Sequence, residues 1–115
     1  NGKYLFMYGG ILAQENKYHE SIQLLELAKL DYNDPHLWLI LGQSYEKVGD
    51  FNRAELHYTQ AANIIPHMFY PKYLLVKIFL KQGNNAGALK KAEELISQYD
   101  LADTYRLAIN QYGMV

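Results

Sequence analysis

The chain has 115 residues, half of them hydrophobic, and carries 11 basic against 12 acidic side chains for a net charge of -1. That length supports one domain with its own core, and the missing basic excess removes the electrostatic term on which nucleic-acid and anionic-membrane binding rest. The absence of cysteine excludes a disulfide framework and a thiolate metal site, and it leaves the compartment undetermined by redox chemistry.

In chain order, Tyr4, Leu5, Tyr8, Ile11 and Leu12 recur every three or four residues and predict a helix over about 3–14. It begins almost at Asn1, as an excised segment of a longer protein would. A second helix is predicted over about 18–30, ended by Asn33-Asp34-Pro35, where Asp34 suits an N-cap and Pro35 the first helical position of the next. Helices over about 35–48 and 51–64 are joined at Gly49-Asp50. Two more follow over about 69–82 and 86–98, with Pro71 tolerated in an opening turn. The longest apolar runs, such as Tyr73 to Val76 between Lys72 and Lys77, fall far short of the ~20 residues that cross a bilayer.

After Tyr99-Asp100, the residues Leu101, Tyr105, Leu107, Ala108 and Tyr112 keep helical spacing and predict a terminal helix covering the preceding unit. The first helix has no such cover. Its rings near Tyr4 and Tyr8 are expected at the surface, where two copies have a face to pair through.

Residues 35 to 68 hold the most regular pattern: Trp38, Leu41-Gly42, Tyr45, Gly49-Asp50-Phe51, Ala54, Tyr58, Ala61 and Pro66. Gly42 leaves a bare patch on one helix, and Ala54 and Ala61 offer a shallow stripe on the other. The same landmarks recur 33 positions earlier as Tyr8, Gly9, Leu12, Asn16, Tyr18, Ser21, Leu25 and Ala28. A looser copy lies 34 positions later, through Leu75, Phe79, Gly83 and Ala88. This unit of ~34 residues resembles a tetratricopeptide repeat. The resemblance implies an all-α fold of antiparallel helix-turn-helix units stacked as a right-handed superhelix. Three repeats, over about 2–34, 35–68 and 69–98, would be followed by a capping helix and tail at 99–115.

No constellation carries catalysis. His19, His36, His57 and His67 lack metal-ligand or acid-base spacing and read as solvated side chains. Gly9-Gly10 lies inside a helical period with no preceding strand and no following Gly-Lys-Ser/Thr, so it reads as packing and not as a phosphate loop. Ser21, Ser44 and Ser97 have no Asp-His company. The expectation is therefore a protein that is no enzyme, with no catalytic residue, no metal and no cofactor.

Recognition remains, and the repeat resemblance implies where it happens. The first helices of successive units line a groove, here through Lys3, Phe6, Gly10 and Ala13, then His36, Leu39, Gln43 and Glu46, then Tyr70, Tyr73, Lys77 and Leu80. Phe6, His36, Leu39, Gln43, Glu46, Tyr70, Tyr73 and Lys77 are the partner-binding candidates. They mix apolar and aromatic anchors with hydrogen-bonding groups, as a site for a protein or peptide partner would. The family's chaperone-tail version grips a terminal carboxylate with Lys, Asn and Arg. The corresponding places here hold Phe6, Gly10, Ile40, Tyr70 and Leu74, so no such clamp forms.

A narrower likeness runs from Asn63 to Leu75, through Phe69-Tyr70-Pro71, together with Lys17-Tyr18-His19-Glu20-Ser21 and Leu41-Gly42-x-x-Tyr45. These stretches are similar to the C-terminal repeat regions of bacterial O-antigen ligase and polymerase-like membrane proteins. That likeness implies a second function, a structural or assembly tail of an envelope polysaccharide enzyme whose membrane part does the chemistry. No catalytic residue transfers to this segment.

Overall fold

The structure, a computed structural model, describes residues 1–99. Among them six helices follow one another without a strand: α1 (Gly2–Gln14), α2 (Tyr18–Ala28), α3 (Pro35–Lys47), α4 (Phe51–Ile64), α5 (Phe69–Lys81) and α6 (Asn85–Tyr99). The helix expected around Leu101 to Tyr112 lies outside the described residues.

Each antiparallel pair turns on one left-handed residue, and the three turns are equivalent. Asn16 (φ 64°), Gly49 (φ 86°) and Gly83 (φ 76°) stand at the repeat offsets. In every case the next amide reaches back over the helix end, Lys17 to the Leu12 carbonyl at 2.9 Å, Asp50 to Tyr45 at 2.9 Å and Asn84 to Phe79 at 2.8 Å. This is the Schellman closure, which satisfies carbonyls that the helix end would orphan. Starts are equally local. The Asp34 carboxylate accepts from the His36 amide at 2.7 Å, with Pro35 in the first turn, and Asp50 accepts from the Arg53 amide at 3.1 Å.

Small residues set how closely the helices of a pair approach. A Cβ added to Gly42 would stand 2.5 Å from Tyr58 Cε1, and one added to Gly9 would stand 2.8 Å from Leu25. Tyr58 and Leu25 are both fully buried, at equivalent repeat positions. Ser21 ties the first pair by donating to the Gly9 carbonyl at 2.7 Å. The core forms two clusters on either side of α3. Leu37 and Leu41 join Leu25 and Ala28 on one side, while Leu39 joins Ala54, Tyr58, Leu74, Leu75 and Ile78 on the other. The middle repeat is thus clamped from both sides, while α1 packs against α2 and α3. Tyr4, Met7, Tyr8 and Ile11 are 53–68% exposed on its uncovered face.

Candidate functional site

The first helices of the three pairs leave a concavity of about 670 Å³ across α1, α3 and α5. Phe6, Met7 and Ile11 of α1, Ile40 of α3 and Leu74 of α5 supply its apolar wall. Gly10 deepens it, because a Cβ there would find nothing nearer than Ile40 Cδ1 at 3.8 Å. The charged lining residues, Glu46, Lys47 and Lys77, all come from the last two turns of α3 and α5. The charged groups therefore mark one end of the concavity as polar, while the apolar wall runs along α1 from Phe6 into its last turn at Ile11.

At the polar end the Glu46 carboxylate accepts from the Tyr58 hydroxyl at 2.8 Å and pairs with Lys81. Partial burial pushes the Glu46 carboxyl up, but these two bonds outweigh it and hold the group below the usual carboxylate range. Burial and the neighbouring Glu46 push the Tyr58 phenol up. Gln43 donates to the Tyr70 hydroxyl at 3.3 Å. The Tyr70 ring stacks with Tyr73 at 6.4 Å, and Lys77 Nζ lies 5.4 Å from the Tyr73 centroid. The Ser44 hydroxyl, in the concavity's wall, is the one buried side-chain oxygen or nitrogen without a hydrogen-bond partner among the described residues.

Of the residues expected to bind a partner, Phe6, Gln43, Glu46, Tyr70 and Lys77 meet in this concavity. Leu39, His36 and Tyr73 do not. Leu39 is 5% exposed and belongs to the core between α3, α4 and α5. The expectation that it faces the groove is corrected: a middle helix packs on both flanks, so a position that points outward in a terminal repeat is covered here by Leu74 and Leu75. His36 is exposed at the start of α3, its Nδ1 3.1 Å from Asp34. Tyr73 stands beside the concavity, stacked on Phe69 and Tyr70. Met7, Ile11 and Ser44 join the lining without having been singled out for it. Ile40 and Leu74, named from the sequence only among the positions that cannot grip a terminal carboxylate, also join the lining.

A second polar cluster, outside that lining, corrects the reading of His57 as solvated. Its side chain is 2% exposed, stacked between Trp38 at 5.6 Å and Tyr45 at 5.1 Å. Its Nδ1 lies 2.7 Å from the Arg53 carbonyl, which fixes the proton there, so Nε2 accepts from Lys29 Nζ at 3.2 Å. Lys29 also meets Glu26 at 2.6 Å, and Glu26 accepts from Tyr45 at 2.6 Å. Burial pushes the imidazole down, favouring the neutral form. Partial burial pushes Glu26 up, but the bonds from Lys29 and Tyr45 hold it below the usual carboxylate range. Every member is satisfied by another, as a structural joint between α2, α3 and α4 requires. No group of three or more His, Asp or Glu is placed to hold a metal among the described residues. No helix described is long and apolar enough to cross a membrane.

Residues 35–68 match the family model of the tetratricopeptide repeat. No curated protein matches the chain. Among solved structures it is similar to PcrH in complex with the chaperone binding region of PopB, with a TM-score of 0.76 and 17% identity over 97% of this chain and 91% of that one. It is also similar to the Yersinia enterocolitica type III secretion chaperone SycD in complex with a peptide of the translocator YopD, with a TM-score of 0.72 and 20% identity over 95% and 86%. MamA gives a TM-score of 0.80 and 16% identity over 91% of this chain and 62% of that one. The fold is accordingly all-α, a stack of helical hairpins of the tetratricopeptide kind.

Proposed function

We propose that this domain is a non-catalytic recognition module that holds a peptide segment of a partner protein in the concavity across α1, α3 and α5. The observation that carries the reading is the concavity itself, about 670 Å³ with an apolar wall and, toward the ends of α3 and α5, charged groups. The solved relatives PcrH and SycD, which share the fold, are held in complex with segments of other proteins. The test is a selection of displayed 12-residue peptides on the immobilised domain. Gly10→Leu fills the concavity from its floor, and Tyr70→Ala removes an aromatic wall. Selected peptides should lose at least about tenfold in affinity on either variant while the melting curves stay close to wild type. Peptides that bind both variants as well as wild type place the site elsewhere.

A second reading, an assembly tail of an envelope polysaccharide ligase or polymerase, draws on the uncovered stripe of Tyr4, Met7, Tyr8 and Ile11, four apolar side chains more than half exposed on one face. In that reading copies of the tail pair through α1. Light scattering should then report a dimer that Tyr8→Glu with Ile11→Glu converts to monomer. A wild-type monomer at the highest soluble concentration, or a soluble repeat array encoded upstream, ends it.

A further inference from the structure

Folding leaves the polar end of the concavity with more cations than it neutralises. Glu46 is occupied twice, by the Tyr58 hydroxyl and by Lys81. That pairing matches Lys81 but leaves Lys47 and Lys77, both in the lining, without an ion pair within 4 Å among the described residues, although Lys77 is near enough to help lower the Glu46 carboxyl. A chain whose net charge is -1 thus presents a locally positive wall. Lys77, itself exposed, sets its ammonium over the Tyr73 ring at 5.4 Å. One turn before Lys47, Ser44 keeps a buried hydroxyl with no partner in the same wall.

Resting on the groove reading above, we infer that the segment it holds carries an Asp or Glu side chain next to an apolar anchor. The anchor seats on Phe6, Ile11 and Ile40, and the carboxylate meets Lys47 and Lys77. Charge complementarity favours this over a basic segment, which would meet two lysines across a wall whose single carboxylate is already bonded to Tyr58 and Lys81. The carboxylate is assigned to a side chain, because the lining offers two lysines and no arginine or asparagine with which to grip a chain terminus.

The peptides selected above, resynthesised as C-terminal amides, supply the test. Their consensus should pair apolar residues with Asp or Glu, and binding should weaken as salt rises. Lys47→Gln with Lys77→Gln should cost about tenfold in affinity, and Lys47→Glu with Lys77→Glu should redirect the selection to basic peptides. Peptides lost on Gly10→Leu but free of acidic bias and indifferent to the lysine variants overturn this inference while the groove reading stands. Peptides indifferent to Gly10→Leu overturn the groove reading and this inference with it. Peptides that bind only with a free terminal carboxylate overturn the side-chain assignment.

Discussion

Gly42→Ala and Gly10→Ala add the same methyl group to first helices of successive repeats and should move stability in opposite directions. Each substitution gains about 1 kcal/mol of helix propensity. At Gly10 the new Cβ meets only Ile40 Cδ1, at the ordinary distance of 3.8 Å, so most of that gain survives. At Gly42 it stands 2.5 and 2.6 Å from Tyr58 Cε1 and Cδ1, where carbon contacts need about 3.5–4.0 Å. The ring must recede by about 1 Å, yet Tyr58 is fully buried and its hydroxyl is tied to Glu46 at 2.8 Å. Overpacking of this kind costs about 1–3 kcal/mol, and loss of a hydrogen bond to a charged group about 1.5–3 kcal/mol. The net expectation is a loss of about 2 kcal/mol for Gly42→Ala. By circular dichroism that lowers the melting midpoint by roughly 10 °C, while Gly10→Ala raises it by a few degrees. If Gly42→Ala melts at or above wild type, close approach of α3 to Tyr58 is not what that glycine secures.

Ser44→Ala should stabilise the domain by about 1 kcal/mol, since it removes a buried hydroxyl without a partner and puts a better helix former mid-helix; a lower urea midpoint would show that the hydroxyl is bonded in solution. His57 should make stability pH-dependent. Its folded pKa is depressed below the ordinary 6.5, so the unfolded chain takes up the proton first. The neutral-histidine contribution is complete above about 6.5 and declines as pH falls. Protonation sets an imidazolium beside Lys29 and Arg53, with only Glu26 and the more distant Asp50 to offset them. The unfolding free energy of wild type should therefore drop between about pH 7 and 5, and His57→Gln should flatten that slope. An unchanged slope would rule the joint out as its source. Glu26 and Glu46, with folded values below the ordinary 4.5, lose their contributions only at lower pH.

Much of the fold was legible because repeat proteins write each local decision more than once. Helix starts at Asp34 and Asp50, turns at Asn16, Gly49 and Gly83, and the Gly9/Leu25 and Gly42/Tyr58 pairs at one constant offset are short-range features. Caps, left-handed residues and 3.6-residue periodicity depend on a few neighbours along the chain. The absence of cysteine and the balance of charge were likewise properties of the sequence alone.

Only the tertiary structure decided which side of each helix meets another helix and which meets solvent. Leu39 and Ile40 are adjacent apolar residues, and nothing local distinguishes them. Packing on both flanks of α3 sends the first into the core and leaves the second in the concavity. His57 carries no buried-site motif, because its partners come from elsewhere in the chain, Glu26 and the C-cap Lys29 from the end of α2, Trp38 and Tyr45 from α3. The concavity has the same origin. Phe6, Gln43 and Lys77 belong to three helices, and stacking the repeats sets them around a shared wall with a cationic end that the net charge of -1 does not disclose.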